Sequence, residues 1–116
     1  MILNVGMDEM AKRNNFINRA QVGGGNTPPT VDDTQLESWI AGTSTSSAAT
    51  TYGVNTSSPY YQWTLVNKRF PIGTFDDDIL REIAFGWDLG PGPSIFNRDL
   101  IKDGGGDPTD LPVKAN

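Results

Sequence analysis

The chain has 116 residues, with nine Lys and Arg side chains, 14 Asp and Glu side chains, no histidine and no cysteine. The net charge is −5, and the nearest approach to a basic cluster is the two isolated pairs Lys12-Arg13 and Lys68-Arg69. This argues against nucleic-acid binding, which needs clustered Lys and Arg side chains to neutralise phosphates. The lack of cysteine excludes disulfides, thiol catalysis and cysteine-ligated metals.

The first third of the chain predicts one helix and one strand. Acidic residues precede basic ones over residues 7–13, and Met7, Met10 and Ala11 recur at helical spacing, which favours a short helix. Residues 16–22 then predict a strand.

The middle of the chain is mostly polar. Residues 31–37 predict a single helical turn capped by Asp32 or Asp33, and residues 39–41 return to the sheet. Residues 42–58 are rich in Ser, Thr, Ala and Asn, which leaves three alternatives: a mobile loop, an extended β-arm, or a segment ordered against another chain.

The second half of the chain predicts three strands. Residues 60–70 are rich in aromatic and β-branched side chains, and residues 79–87 and 94–101 alternate apolar and polar side chains around a Gly-Pro loop, as in a hairpin. Residues 103–116 are expected to form an extended tail without a further strand. The sequence therefore predicts a mainly β fold, a small antiparallel β-sandwich with a short N-terminal helix and long polar loops, in one domain spanning residues 1–116.

Two further patterns concern the cellular location. No apolar run approaches the ~20 residues of a membrane span, and the N-terminus lacks the basic and apolar regions of a signal peptide. We therefore expect a protein synthesised in a cytoplasm.

Two polar clusters have alternative interpretations. The glycines at 23–25 precede Asn-Thr-Pro-Pro rather than the Gly-Lys-Ser/Thr of a phosphate loop, so a tight bend with positive φ is favoured. The acids at 76–78, and Asp103 with Asp107, are candidates for a weak Ca²⁺ site, although the EF-hand spacing is missing and solvated turns are favoured. No cofactor is expected.

Glu82 is an acid embedded in the predicted strand over residues 79–87. It is either a general base, paired with one of the acids at 76–78 in a cell-wall hydrolase, or a structural partner of an arginine such as Arg98 on the neighbouring strand. The structural interpretation is favoured, because no nucleophile–base arrangement accompanies it.

The aromatic residues Trp39, Trp63, Trp87, Tyr60 and Tyr61 also allow two interpretations. They form either a carbohydrate-stacking platform or anchors of a core or interface. Aromatic residues on strands more often serve as anchors, so Trp39, Trp63 and Tyr61 are interface candidates.

Three segments together carry a family resemblance. Residues 22–37, VGGGNTPPTVDDTQLE, resemble the pattern vGxGxTxPxxxDTxLxxE of tail-fibre, tail-collar and baseplate-associated proteins of tailed bacteriophages. Residues 81–86, REIAFG, and 95–98, IFNR, which contains Phe96 and Arg98, are similar to two hairpin arms that follow in that family. Ala84 stands where the family commonly has glycine.

The resemblance implies a non-enzymatic structural protein of the virion tail, at the fibre base, collar or baseplate. Its partners would be other tail proteins and copies of itself, in a trimer or ring. The alternatives are a glycan-binding module for receptor recognition and a head-fibre or decoration protein. Because family members continue into another strand after the Asp-Pro-Thr turn, we expect that strand to be missing here or supplied by a neighbouring subunit.

Overall fold

The computed structural model describes residues 1–12, 17–43, 46–52, 57–58 and 63–114. One helix precedes eight strands among these residues. The elements are α1 (Asn4–Lys12), β1 (Arg19–Gly23), β2 (Trp39–Thr43), β3 (Ser46–Tyr52), β4 (Trp63–Lys68), β5 (Ile79–Leu80), β6 (Glu82–Gly86), β7 (Asp99–Leu100) and β8 (Leu111–Pro112). The prediction of a mainly β fold with one short helix is confirmed, while the sandwich arrangement of the sheets stays a prediction. No helix in these ranges has the length and apolar character needed to cross a membrane.

The strands form three antiparallel sheets. The largest has the order β2-β1-β6-β7, and two ribbons pair β3 with β4 and β5 with β8. In the large sheet β1 aligns Gln21 with Ala84 of β6 and with Gly42 of β2. Directly opposed residues share a face, so this register determines which residues lie beside Glu82 and Ala84.

The core lies on that face. Leu3, Leu36, Ala84 and Ile95 are almost fully buried and contact one another, and Val5 packs against them. These residues come from four distant segments, so the core joins α1, the segment before β2, β6 and the loop after it. Burying a Leu or Ile side chain contributes roughly 1.5–3 kcal/mol.

The predicted helix is present but begins earlier, at Asn4. The amide of Met7 donates to the carbonyl of buried Leu3, so docking of Leu3 in the core sets the first turn. Asp8 and Glu9 consequently lie in the middle of α1, and the expectation that acids occupy its first turn is wrong.

The strand predictions are confirmed where the structure describes them. β1, β2 and β4 fall within or beside the predicted segments, and residues 16 and 60–62 lie outside the described residues. Within residues 42–58, residues 46–52 form β3, as the β-arm alternative predicts, and β3 pairs with β4 over the register from Ser46↔Lys68 to Tyr52↔Trp63. Residues 44–45 and 53–56 lie outside the described residues, and ordering against another chain stays a prediction.

The predicted hairpin near the C-terminal end is also present, with a shorter second arm. β6 pairs with β7 only at Glu82↔Leu100 and Ile83↔Asp99, and a single bridge joins Gly86 to Ile95. The first arm is interrupted at Arg81, whose amide donates to the carbonyl of Gly23 instead.

Three further predictions are wrong. Residues 31–37 form turns rather than a helical turn, because the amide of Glu37 is bonded to the Glu82 carboxylate and is unavailable to a helix. The tail contains a strand, since β8 pairs with β5 at Leu80↔Leu111, so this chain itself supplies a strand after the Asp-Pro-Thr turn. The glycines at 23–25 do not adopt positive φ, which among the described glycines occurs at Gly73, Gly90, Gly92 and Gly106.

Candidate functional site: a buried ion-pair network

Glu82 is the first residue of β6 and its side chain is fully buried. Its register partner on β1 is Gly23, which has no side chain to occupy the space above the carboxylate. The period-2 alternation of β6 places Glu82 on the same face as Ala84, so the carboxylate lies at one end of the core. A charge in this position needs a counter-charge and hydrogen-bond donors.

Arg98 supplies the counter-charge. Its Nε lies 3.3 Å from Oε1 of Glu82, and its side chain is 2% exposed. Nη1 lies 3.0 Å from Oδ2 of Asp33, while Nη2 donates to the carbonyl of Thr27 at 2.8 Å and lies 3.4 Å from Oε2 of Glu37. The guanidinium is therefore bonded along all three of its nitrogens, which matches its fixed fork of donors.

Both carboxylate oxygens of Glu82 also accept hydrogen bonds from backbone amides. The amide of Glu37 donates to Oε1 at 2.7 Å, and the amide of Ser38 donates to Oε2 at 3.1 Å. Both donors lie in the turn before β2. Glu82 thus joins β6, the arginine before β7 and the turn before β2 in one connected network.

Gly25 is a position at which this glycine-rich segment leaves no space for a side chain. The residue is buried, and a Cβ placed on it would overlap Oε2 of Glu82 and the Cβ of Glu37. The glycine is thus required by close approach to the carboxylate rather than by its backbone conformation.

The two outer carboxylates are partly exposed, at 27% for Asp33 and 42% for Glu37. Burial opposes ionisation of Asp33, but hydrogen bonds from Thr30 and Arg98 and the charge of Arg98 together lower its pKa below the ordinary 3.8. Hydrogen bonds from Thr27, with a smaller contribution from the Arg98 charge, lower the pKa of Glu37 below 4.5. Both groups are therefore ionised partners of Arg98 at neutral pH.

A polar depression of about 470 Å³ lies over the outer side of the network. Arg98, Asp33 and Glu37 contribute to its wall, with Asp32 and Thr27 beside them. Glu82 does not line it. The carboxylate that sequence reasoning considered as a general base therefore lies behind the wall, bonded to Arg98, and the prediction that Glu82 pairs with Arg98 is confirmed.

Phe96 connects the helix to the hairpin. Its amide donates to the carbonyl of Phe85 and its carbonyl accepts from the amide of Leu3. Gly6 of α1 packs so closely on it that an added Cβ would overlap Phe96. Phe96 therefore holds α1 against the sheet within the chain, and its predicted role at an interface with another chain stays a prediction.

Trp39 is 36% exposed at the start of β2. Its indole Nε1 donates to the carbonyl of Leu89 at 3.0 Å, which ties the loop after β6 to the edge of the sheet. Buried Gln21 anchors the same loop, because its Nε2 donates to the carbonyl of Asp88 and to Oγ of Ser94.

The two other aromatic candidates are less fully described. Tyr61 lies outside the described residues, and Trp63 has its backbone in β4 while its side chain lies outside the described part. The structure therefore brings together Glu82 and Arg98 from the predicted set, places Phe96 and Trp39 at two separate contacts, and leaves the aromatic-platform interpretation a prediction.

The acidic clusters do not form a ligand set in the described ranges, where no three acidic side chains are arranged to hold a metal ion. Asp103 instead accepts hydrogen bonds at Oδ1 from the amides of Gly105 and Asp107. The carboxylate closes its own loop, as Asp does in many turns.

Sequence reasoning missed Thr27, Asp33 and Glu37 as partners of Arg98. All three lie in residues 22–37, the segment that carries the family resemblance, but nothing in that segment indicates a distant arginine. The sequence predicts Asp32 or Asp33 as a helix cap instead. The available signal was charge. The segment carries Asp33 and Glu37, and the two predicted hairpin strands carry Glu82 and Arg98, so these acids were candidate partners for the arginine.

Comparisons with protein-family models, curated proteins and solved structures find no match to this chain.

Proposed function

We propose that this chain is a non-enzymatic structural protein of a phage tail, located at the fibre base, collar or baseplate, which joins tail components by subunit association. The observation that carries the proposal is the convergence of the segments behind the resemblance. Residues 22–37, 81–86 and 95–98 are separated in sequence, yet they supply all the charged side chains of the Arg98–Glu82 network.

A structural role in this network is enough to explain why these residue types occur in the three segments. Glu82 is enclosed by Arg98 and two backbone amides, so its bonding capacity serves the fold. Residues with such a role stabilise the fold, and the function is then carried by other residues on the protein surface. This supports an adaptor rather than an acid–base enzyme, which needs a carboxylate within reach of a substrate.

A second feature supports association. The ribbon of β3 and β4 forms extensive contacts between its own strands but no comparable contact with another helix or strand among the described residues. A lone two-stranded ribbon is marginally stable in water, and it presents unpaired strand edges. Packing against a neighbouring subunit would remove both problems.

The test is the protein composition of purified phage particles that encode this chain. Quantitative mass spectrometry of gradient-purified particles should find the chain in a fixed ratio to the tail-tube protein, and gold-labelled antibody should mark the tail. Particles from which detergent and high salt strip loosely bound host proteins are the control. Absence from such particles, with the chain abundant in the lysate, would contradict the proposal.

A further inference from the structure

The most exposed large hydrophobic side chain of the described residues belongs to Ile72, at 83%. It lies in the turn between β4 and β5. Single exposed aliphatic side chains are common, but this one stands on a rigid support beside a concentrated charge.

Several contacts fix the conformation of the turn. The rings of Phe70 and Phe75 pack with centroids 4.7 Å apart, and the amide and hydroxyl of Thr74 both donate to the carbonyl of Pro71. The amide of Asp77 donates to the carbonyl of Val113. Ile72 is thus presented by a preorganised turn, which lowers the entropy cost of binding through it.

The charge beside Ile72 is negative. Asp76 and Asp77 are exposed, and neither forms an ion pair with any residue that the structure describes. The turn therefore presents one aliphatic side chain next to carboxylates without a counter-charge. We call this combination of Ile72, Asp76 and Asp77 the Ile72 knob.

A groove of matching character lies elsewhere on the surface. It has a volume of about 270 Å³, and Pro28, Pro29, Leu100, Lys102 and Pro108 line most of it. A cavity of ~150 Å³ is enough to hold benzene, so the groove has room for an isoleucine side chain. Three prolines with fixed φ make its walls stiff.

The groove also carries a free positive charge. Lys102 is exposed and forms no ion pair within the described part of the chain, whereas Asp99, at the same groove, is paired with the Met1 ammonium group. The loop that carries Lys102 is held by the Asp103 hydrogen bonds and by the bridge from Lys102 to Pro108.

We propose that the occupant of this groove is the Ile72 knob of a second copy of the chain, with Asp76 meeting Lys102. Apolar shape and charge sign both match, and the knob and the groove are different patches, so repeated contacts build a ring if the rotation closes. The inference rests on the proposed assembly function and names the partner and the contact that it would use.

The first experiment measures mass in solution. Sedimentation equilibrium of the purified full chain should give an oligomer at micromolar concentration, and Ile72→Asp should weaken self-association at least about tenfold, because a central side chain of an interface often dominates its affinity. Met7→Asp replaces a 53% exposed side chain on α1 and should leave the mass unchanged. Circular dichroism verifies that both variants remain folded.

The second experiment uses charge reversal. Lys102→Glu and Asp76→Lys should each weaken association, and the double variant should restore it, because each contact again joins opposite charges. A mixture of Ile72→Asp with Lys102→Glu should form a 1:1 complex, since the first keeps an intact groove and the second an intact knob.

A chain that stays monomeric at 100-fold varied concentration overturns the inference, as does an oligomer that Ile72→Asp and Lys102→Glu leave intact. Neither result bears on whether the chain is present in tails, because particle composition is measured independently. Conversely, an oligomer with these variant effects and no trace of the chain in particles would sustain the contact and reject the tail assignment.

Discussion

Nε of Arg98 lies 3.3 Å from Oε1 of Glu82, and both side chains are buried, although the two residues are 16 positions apart in the sequence. Burying such a pair is costly by itself, but removing one partner is costlier still, because the other is left as an uncompensated charge. The pair therefore fixes the relative positions of β6 and the segment before β7.

Replacing Arg98 should destabilise the protein strongly. Arg98→Met leaves the carboxylate of Glu82 without its counter-charge, at an expected cost of about 3–5 kcal/mol in the free energy of unfolding. Urea titration followed by tryptophan fluorescence measures this loss. Arg81→Met is the matched control, because Arg81 forms an exposed pair with Asp110 and such pairs contribute at most about 1 kcal/mol. Equal losses in the two variants would show that the buried pair has no special role.

Gly25→Ala should also destabilise the fold, because the new methyl group would overlap Glu82 and Glu37. Overpacking of this kind costs roughly 1–3 kcal/mol. Gly104→Ala is the control, since open space surrounds Gly104 and replacement of a glycine at a compatible site is neutral or slightly stabilising. Thermal unfolding of the two variants gives the comparison, and a Gly25→Ala midpoint equal to that of wild type would contradict the close approach.

Acid should weaken the network. The folded-state pKa values of Asp33 and Glu37 lie below the ordinary 3.8 and 4.5, so their ionised forms stabilise the fold above those values, and this contribution is lost as the pH falls through them. Urea unfolding at pH 7, 5, 4 and 3 should show a decline concentrated below about pH 4.5. Asp33→Asn should reduce that decline, and an unchanged acid dependence in this variant would count against a role of the Asp33–Arg98 pair.

The β3–β4 ribbon should exchange its amide hydrogens faster than the large sheet. The ribbon has few contacts with other elements, and segments with little buried contact open with low free energy. Hydrogen exchange by NMR should give lower protection for Thr50 and Val66 than for Gln21 and Ala84. Protection of the ribbon that equals that of β1 and β6 would indicate that it is already packed within the chain.

Local pattern was enough to locate most strands and to favour an arginine such as Arg98 as the partner of Glu82. Alternation along residues 79–87 and 94–101 predicts a hairpin, and adjacent strands of a hairpin bring their residues together whatever the rest of the chain does. The same reasoning failed for residues 31–37. An acid near an apolar residue is compatible with a helix cap, and only the folded structure shows that the Glu37 amide donates to the distant Glu82 carboxylate.

The reason for the glycines was likewise hidden from local pattern. A glycine run signals a bend when only its own backbone freedom is considered, but Gly25 is required by a carboxylate that arrives from a residue far along the chain. The pairing of β8 with β5 is also invisible to local pattern, because two-residue strands carry too little alternation to be recognised.

Periodicity and composition by themselves determined the mainly β class, the short helix and the hairpin, because these depend on neighbours in the chain. Only the tertiary structure decided which acids surround Arg98, why a side chain cannot be accommodated at position 25, and where the C-terminal residues pair. Those outcomes depend on which distant groups share a buried space, where each charge and donor must be matched by whatever folding brings beside it.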